Sequence, residues 1–377
     1  MNREDLTLGI VSFPDDPDSS MATSQTSDTM RVVVEPHPYD IAAVASRSSH
    51  TEWNDDVFRL LRTCRKLLAK GADAILLSGA SARSVVVALE TELDMPVSDM
   101  RTVDAFCDGG ALTDVSGDPR RHYARWARRA LASRANSRFR LGIVGGIGPA
   151  ATVDFMAKVV RHTPASTDQA HVRMLVDHNP QIPDRTAHLL HNGDDPSLAL
   201  FSACVRLEEG GASAIALPCN TAHAFVARIQ PHLGVPIVNM LDETVRCIVS
   251  RFGIGSCVGL LATSGTIESF VYHDAADARL TLITPDEQFQ QCVMQAIYGP
   301  QGVKAGFTEG ACRTELDAAI AHLVARGAQV VVLGCTELPL VLGEQDAYIV
   351  NGTTVAIVDP TSILARHCVR LAMKESK

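Results

Sequence analysis

The chain has little aromatic surface: two tryptophans, five tyrosines and eleven phenylalanines in 377 residues, 5% in all. Long apolar runs are missing too. No stretch approaches the roughly 18 residues that cross a bilayer, and Met1 to Pro14 has acidic residues and no apolar core ahead of a small-residue cleavage site, so a secretory leader is not expected. Nor is there an excess of basic charge: 34 Lys and Arg against 43 Asp and Glu leave a net charge of −9, with no long run of either sign. That excludes the broad electropositive face that nucleic acid needs. Ten cysteines are present without a single Cys-x-x-Cys. Their scatter fits neither a disulfide framework nor a zinc knuckle, and the expectation is a cytoplasmic protein whose cysteines are mostly buried small hydrophobes in a reducing compartment. What is there is 46% apolar and 20% charged, in a chain long enough for two or three domain-sized units. This composition points to small molecules or other copies of the chain as partners, a homodimer being left open, and to no nucleic acid or membrane.

One pattern occurs three times: GADAILLSG at Gly71–Gly79, GASAIALPC at Gly211–Cys219 and GAQVVVLGC at Gly327–Cys335. In each, a glycine closes a helical run and a short aliphatic run follows, which predicts a helix C-cap, a turn and a strand buried on both faces. The first two copies extend further. ELDMPVSDM at Glu92–Met100 lies at the same offset as HLGVPIVNM at His232–Met240, and RVVVEPHP from Arg31 is similar to RMLVDHNP from Arg173. Strand-like runs near Leu8, Leu141 and Val258 each open a comparable stretch. The expected fold class is therefore α/β, with repeated small parallel-sheet lobes flanked by helices. Their limits are read as residues 1–117, 140–250 and 251–377. Between the first two lobes, Arg120–Arg140 (RRHYARWARRALASRANSRFR) is expected as a solvated basic helical linker over 118–139. Ser12–Met30, rich in Ser, Thr, Asp and Pro, is expected as a loop.

In an open parallel sheet the ligand crevice lies beyond the carboxyl ends of the strands. Two of the three repeated strands end there in cysteine: Cys219, followed by Asn220, Thr221, Ala222 and His223, and Cys335, followed by Thr336 and Glu337. The first copy has Gly79, Ala80 and Ser81 instead and lacks the sulfur. At a strand-to-helix turn, free backbone N–H groups and the helix dipole favour thiolate, which is the expectation for both sulfurs. One buried cysteine at a strand end is ordinary core. Two at matching places in repeated lobes imply a pseudo-twofold axis, with the sulfurs facing each other across one carbon. Such a pair suits stereoinversion, one thiolate removing a proton from a tetrahedral carbon while the opposite thiol delivers one to the other face. The GGIGP loop at Gly145–Pro149 lacks the third glycine and the lysine of a phosphate loop, so no nucleotide is expected. His223 reads as an early-helix residue, and with Cys219 it makes a poor start to a metal site; none is expected.

Five segments in order carry a family resemblance: GGIGPAAT (Gly145–Thr152), NPQIPDRT (Asn179–Thr186), PCNTAH (Pro218–His223), IYGPQGVKAG (Ile297–Gly306) and GCTELPL (Gly334–Leu340). Together they resemble the PLP-independent aspartate/glutamate racemase family, in its aspartate racemase branch, over about Arg140 to Ala372. The resemblance implies two lobes forming a pseudo-twofold cleft plus one extra related lobe in front, and Cys219 and Cys335 as the acid/base thiols. It further implies Asp184, Arg185 and Thr186 of the PDRT segment and Lys304 of the VKAG segment at the substrate. Arg185 offers a planar fork to a side-chain carboxylate, and Lys304 a point charge. Asn220, Thr221 and Ala222, with Thr336, would present amide, hydroxyl and backbone donors to the α-carboxylate, and Thr263, Ser264 and Thr266 of ATSGT would extend that cradle. No cofactor is implied: cations and a closed cleft take the place of a PLP electron sink. Glutamate racemases carry GCTHxPL at the second site, whereas this chain has Glu337 in place of that histidine and has the PDRT segment, so aspartate is the preferred substrate, glutamate the next.

The first lobe departs from the family's two-lobe pattern. It lacks the cysteine, and Asp40–Ser46, where a PDRT counterpart would fall, does not match in residue order; one active site per chain is expected. Two other readings stay open. A sister reaction on the same scaffold, such as maleate isomerisation, hydantoin racemisation or arylmalonate decarboxylation, is disfavoured in its decarboxylase form by the presence of both thiols and the low aromatic content. A non-catalytic amino-acid-binding protein has no reason to keep both.

Overall fold

A computed structural model describes residues 6–12, 26–27, 30–36, 55–78, 83–93, 95–100, 102–103, 123–124, 126–130 and 139–375. The chain divides into two compact units, Met1–Arg138 and Phe139–Lys377. Gly79–Ser81, Asp40–Ser46, most of Ser12–Met30 and parts of Arg120–Arg140 lie outside the described residues.

In the first unit the elements are β1 (Leu6–Ser12), β2 (Thr26–Ser27), β3 (Met30–Pro36), α1 (Asp55–Ala69), β4 (Ala74–Leu77), α2 (Arg83–Leu93) and β5 (Val97–Asp99). They form a sheet of order β2-β3-β1-β4-β5, parallel except for the short β2, which falls within the stretch expected as a loop. The second unit contains two sheets. One is built from β6 (Arg140–Gly145), α3 (Pro149–His162), β7 (Arg173–His178), α4 (Arg185–His191), α5 (Ser197–Glu209), β8 (Ala214–Ala216) and β9 (Ile237–Val238), followed by α6 (Met240–Phe252). The other comprises β10 (Cys257–Leu261), α7 (Ser264–Glu268), α8 (Val271–Ala276), β11 (Thr281–Ile283), α9 (Glu287–Tyr298), α10 (Ala311–Ala325), β12 (Val330–Leu333), β13 (Gln345–Val350), β14 (Thr353–Val358) and the helix α11 (Pro360–Glu375). Their orders are β7-β6-β8-β9 and β11-β10-β12-β14-β13. Apart from the antiparallel edge strands β2 and β13, every sheet has parallel strands in one arrangement: second, first, third, fourth.

The repeat holds at the level of hydrogen bonds. After α1, α5 and α10 the chain turns with the same bond, from Ala72 N–H to Leu67 O, Ala212 N–H to Leu207 O and Ala328 N–H to Leu323 O, at 3.1, 3.0 and 3.0 Å. This is the six-to-one closure of a Schellman cap, which satisfies a helix-end carbonyl and aims the chain into the next strand. Those strands, β4, β8 and β12, are buried throughout. Each first strand carries a glycine where the helix crosses it. A Cβ at Gly142 would lie 2.9 Å from Ala212 Cβ, and at Gly259 2.9 Å from Leu323 Cδ1 and 3.1 Å from Leu323 Cβ. Gly259→Ala is therefore expected to destabilise the fold by about 1–3 kcal/mol in urea denaturation, whereas Gly343→Ala, with open space around it, should move it by under about 0.5 kcal/mol.

The last helices of the two sheets in the second unit are exchanged. Following β9, α6 packs Leu241, Val245 and Ile248 under the other sheet, against Val258, Leu260 and Val330. Following β14, α11 packs Leu364, Ala365, Cys368 and Val369 under the first, against Leu141, Ile143 and Phe155. A buried ion pair, Lys158 Nζ to Asp359 Oδ2 at 2.6 Å, ties α3 to the start of α11. In the first unit the corresponding face, with Leu8, Ile10, Ala74 and Leu76, is covered by Tyr123, Ala124 and Ala127, which fall in the segment expected as a solvated linker. An apolar face on three of its residues docks that segment. Among the described residues no helix is long and apolar enough to cross a membrane.

Candidate active site

Strand order fixes where a site can form in the second unit. In each sheet the connections leave in opposite directions from the first and third strands, β6 and β8 or β10 and β12, and loops at the carboxyl ends of such a switch point leave a crevice. Here the loops of both sheets meet in one cavity. It is lined by Ile147 after β6, Cys219, Asn220 and Thr221 after β8, Thr263 after β10, and Gly334, Cys335, Thr336 and Glu337 after β12, and closed by Arg185, Tyr298 and Lys304. The room left inside is about 20 Å³, roughly that of one water. Admission of a larger ligand requires movement, and Tyr298 and Lys304, both exposed, are its outward walls. A larger groove of about 490 Å³, between His162–Pro164 and the Arg366–Lys374 turns of α11, holds neither thiol nor carboxylate.

Cys219 lies three residues past β8 and Cys335 two past β12; each is 6% exposed. The Cys219 loop is pinned by His223, whose Nδ1–H donates to the Cys219 carbonyl (2.9 Å) while Nε2 accepts from Met240 N–H (3.1 Å). Burial lowers the His223 pKa, so the ring is a neutral clamp with both nitrogens engaged. Arg185 opens α4, behind Asp184, which caps that helix by accepting from Ala187 N–H at 2.8 Å. Its guanidinium donates to Pro183 O at 3.0 Å. Burial opposes its charge, but the facing Cys219 and Asp184 outweigh burial and raise its pKa.

The surroundings of the second sulfur differ. Cys335 Sγ donates to Glu337 Oε2 (3.1 Å), which also accepts from Thr336 Oγ1 (3.3 Å), and Glu337 Oε1 pairs with Lys304 Nζ at 3.0 Å. Burial first, then the Glu337 carboxylate, push the Cys335 thiol well above the ordinary range, against the weaker pull of Lys304. The thiolate expected at that turn is thus reversed: enclosure and an adjacent anion outweigh the local backbone field. Lys304 is held cationic because Glu337 outdoes the cost of its burial. Tyr298 stacks with Lys304, its ring centre 5.2 Å from Nζ, and burial pushes its phenol up to about 12. At Gly148, where φ is 117°, a Cβ would lie 2.4 Å from Glu337 Oε1, so only glycine lets the loop after β6 pass against that carboxylate.

Of the residues expected at the substrate, Arg185, Asn220, Thr221, Thr263, Lys304 and Thr336 line the cavity with the two cysteines. The structure does not bring the others to it. Asp184 is a helix cap whose Oδ2 accepts from Tyr298 OH at 3.4 Å, and Ser264 Oγ accepts from Gln290 Nε2 at 3.2 Å. Ala222, expected to offer a backbone donor, is not part of the cavity lining, and its side chain is buried in the core of its own lobe. Thr186 and Thr266 stand one layer back: Thr221 Oγ1 meets Thr266 Oγ1 at 2.7 Å and Thr263 Oγ1 at 3.2 Å, and Thr186 Oγ1 reaches Thr263 Oγ1 at 3.4 Å. These hydroxyls join the two sheets behind the cavity. Sequence reasoning gave no role to Ile147, Tyr298 or Gly334, and noted Glu337 only as a departure, although Tyr298 and Glu337 both lie inside quoted motifs.

Two buried donors at the cavity, Arg185 Nε and Asn220 Nδ2, have no protein acceptor. Buried donors are normally satisfied, and spare N–H groups on residues that line a crevice favour an anion such as carboxylate.

Comparison with known proteins places the second unit among relatives. The chain is 28% identical over 238 residues to the broad specificity amino-acid racemase RacX of Bacillus subtilis, covering 61% of this chain and 96% of that one. Among solved structures it is similar to an aspartate racemase from Picrophilus torridus, with 29% identity, a TM-score of 0.54, and coverage of 62% of this chain and 94% of the other. It is also similar to a putative Asp/Glu racemase from Yersinia pestis, at 25% identity and a TM-score of 0.52, over 62% of this chain and 99% of that one. The Asp/Glu/hydantoin racemase family model matches residues 144–368, more than half of the sequence and both sheets of the second unit. This chain belongs to the Asp/Glu/hydantoin racemase family.

Proposed function

We propose that the chain interconverts the enantiomers of an acidic amino acid, aspartate before glutamate, by proton transfer between Cys219 and Cys335 at the α-carbon. The observation that carries the reading is that two thiols from matching positions of two repeated sheets line one enclosed cavity, in unlike surroundings. Cys219 faces the Arg185 cation and is assigned as the base in one direction. Cys335, kept protonated by burial and Glu337, is assigned as the acid. In the reverse direction the roles exchange. Arg185 and Lys304 stabilise the negative charge that develops on the α-carbon and its carboxylate, and exclusion of water strengthens both contributions.

The PDRT segment and Glu337, in place of the histidine that glutamate racemases carry, support the shorter dicarboxylic acid over the longer one. The Lys304–Glu337 pair supports a second reading: with Lys304 already matched by a carboxylate, the cleft has a weaker demand for a second anionic group, and neutral amino acids enter the substrate range. Proton NMR in heavy water tests both. With L-aspartate, loss of the α-proton signal with appearance of the D form is expected, more slowly with L-glutamate and slowest with L-alanine. Equal rates for all three would favour the broad-range reading, and no exchange with any of them would sink the racemase reading.

A further inference from the structure

We infer that Tyr272, a residue of α8 outside the cavity wall, is a positioning residue that fixes the Asn220 amide so that its N–H₂ group faces the carboxylate of the ligand. The inference rests on the racemase reading for the identity of that ligand as an α-amino acid, but its geometry stands independently. Tyr272 is 2% exposed, and its hydroxyl donates to Asn220 Oδ1 at 2.7 Å, across the boundary between the two sheets of the second unit. Asn220 is itself 2% exposed and follows Cys219 directly. An amide side chain has two chemically different ends. With the oxygen engaged by the phenol, the nitrogen is the end left over, and Asn220 Nδ2 is one of the buried donors without a protein acceptor. Burial raises the Tyr272 pKa, which keeps the phenol a proton donor through the working pH range.

Without the hydroxyl, the two ends of the amide become nearly equivalent in energy, and half of the rotamer population turns an oxygen toward an anion. The effect falls on carboxylate binding and not on the sulfur.

Iodoacetate and iodoacetamide separate those two quantities, because both place a reactive carbon at a thiolate and only the first carries a carboxylate on it. Alkylation of Cys219, followed by peptide mass spectrometry on the full chain, is expected to slow about twofold for iodoacetate in Tyr272→Phe, because about half of the protein then presents the donor end of the amide. The iodoacetamide rate should hold. Asn220→Ala should show a larger loss, about tenfold, the size of one hydrogen bond to a charged group, and adding Tyr272→Phe to it should cost nothing further, since the tyrosine acts through that amide. An unchanged iodoacetate rate in Tyr272→Phe, a parallel fall with iodoacetamide, or a full-sized loss persisting in the Asn220→Ala background would each overturn the inference. A failure of the racemase reading looks different: the unaltered protein would exchange no amino-acid α-proton in heavy water while the alkylation rates still responded to Tyr272.

Discussion

Replacing either cavity thiol with serine is expected to lower net inversion of aspartate by about 10³-fold, the range that a positioned acid or base contributes. Serine keeps the shape of the site, but its hydroxyl does not ionise where a thiol does, so the stereochemical relay is broken at one end. The other end still works. In Cys335→Ser the remaining Cys219 can remove the α-proton of the enantiomer whose hydrogen faces it and return deuterium from solvent to the same face; in Cys219→Ser the remaining sulfur does this to the other enantiomer. Proton NMR in heavy water on each pure enantiomer should therefore show wash-out without inversion, with opposite enantiomer preference in the two variants. Parental racemisation by either variant, or wash-out of the same enantiomer by both, is incompatible with sulfurs acting on opposite faces of one carbon.

Glu337→Gln should move the pH profile. Its carboxylate, after burial, is the main influence raising the Cys335 thiol, and Lys304 opposes it. In the proposed two-thiol mechanism the pair works with one proton between its members, so a bell-shaped kcat/KM is expected whose alkaline limb reports loss of that last proton from the pair. Removing the anion makes the proton easier to lose. The alkaline limb is expected to move to lower pH. Since enantiomers have equal free energy, both directions must show the same displacement. Lys304→Met should move the alkaline limb the other way, because it removes a cation that favours thiolate. If both substitutions leave that limb in place, Glu337 and Lys304 do not govern the Cys335 proton, whatever their effect on rate.

Much of the arrangement was legible in the sequence where the cause is local. The Gly71, Gly211 and Gly327 turns are set by capping bonds spanning a few residues, and the aliphatic runs after them form strands because every side chain in them is apolar. Those strands deliver Cys219 and Cys335 to the same edge of like-ordered sheets, so the repeat itself implied that two thiols would share a cavity. Arg185 and Lys304 were carried by their motifs and do line it. Asp184, Thr186, Ala222, Ser264 and Thr266 do not line it, because neighbours along a loop point in different directions once the loop is packed.

Sequence by itself thus determined the repeated strand-and-cap units, their order around two sulfurs and the cations nearby, since each follows from interactions within one lobe. Tertiary structure alone decided that α6 and α11 exchange sheets, that Cys335 is held as a thiol, and that Tyr272 orients Asn220 from 52 positions away. Burial and electrostatic fields sum over every group packed around an atom, and those groups come from parts of the chain whose spacing carries no periodic signal.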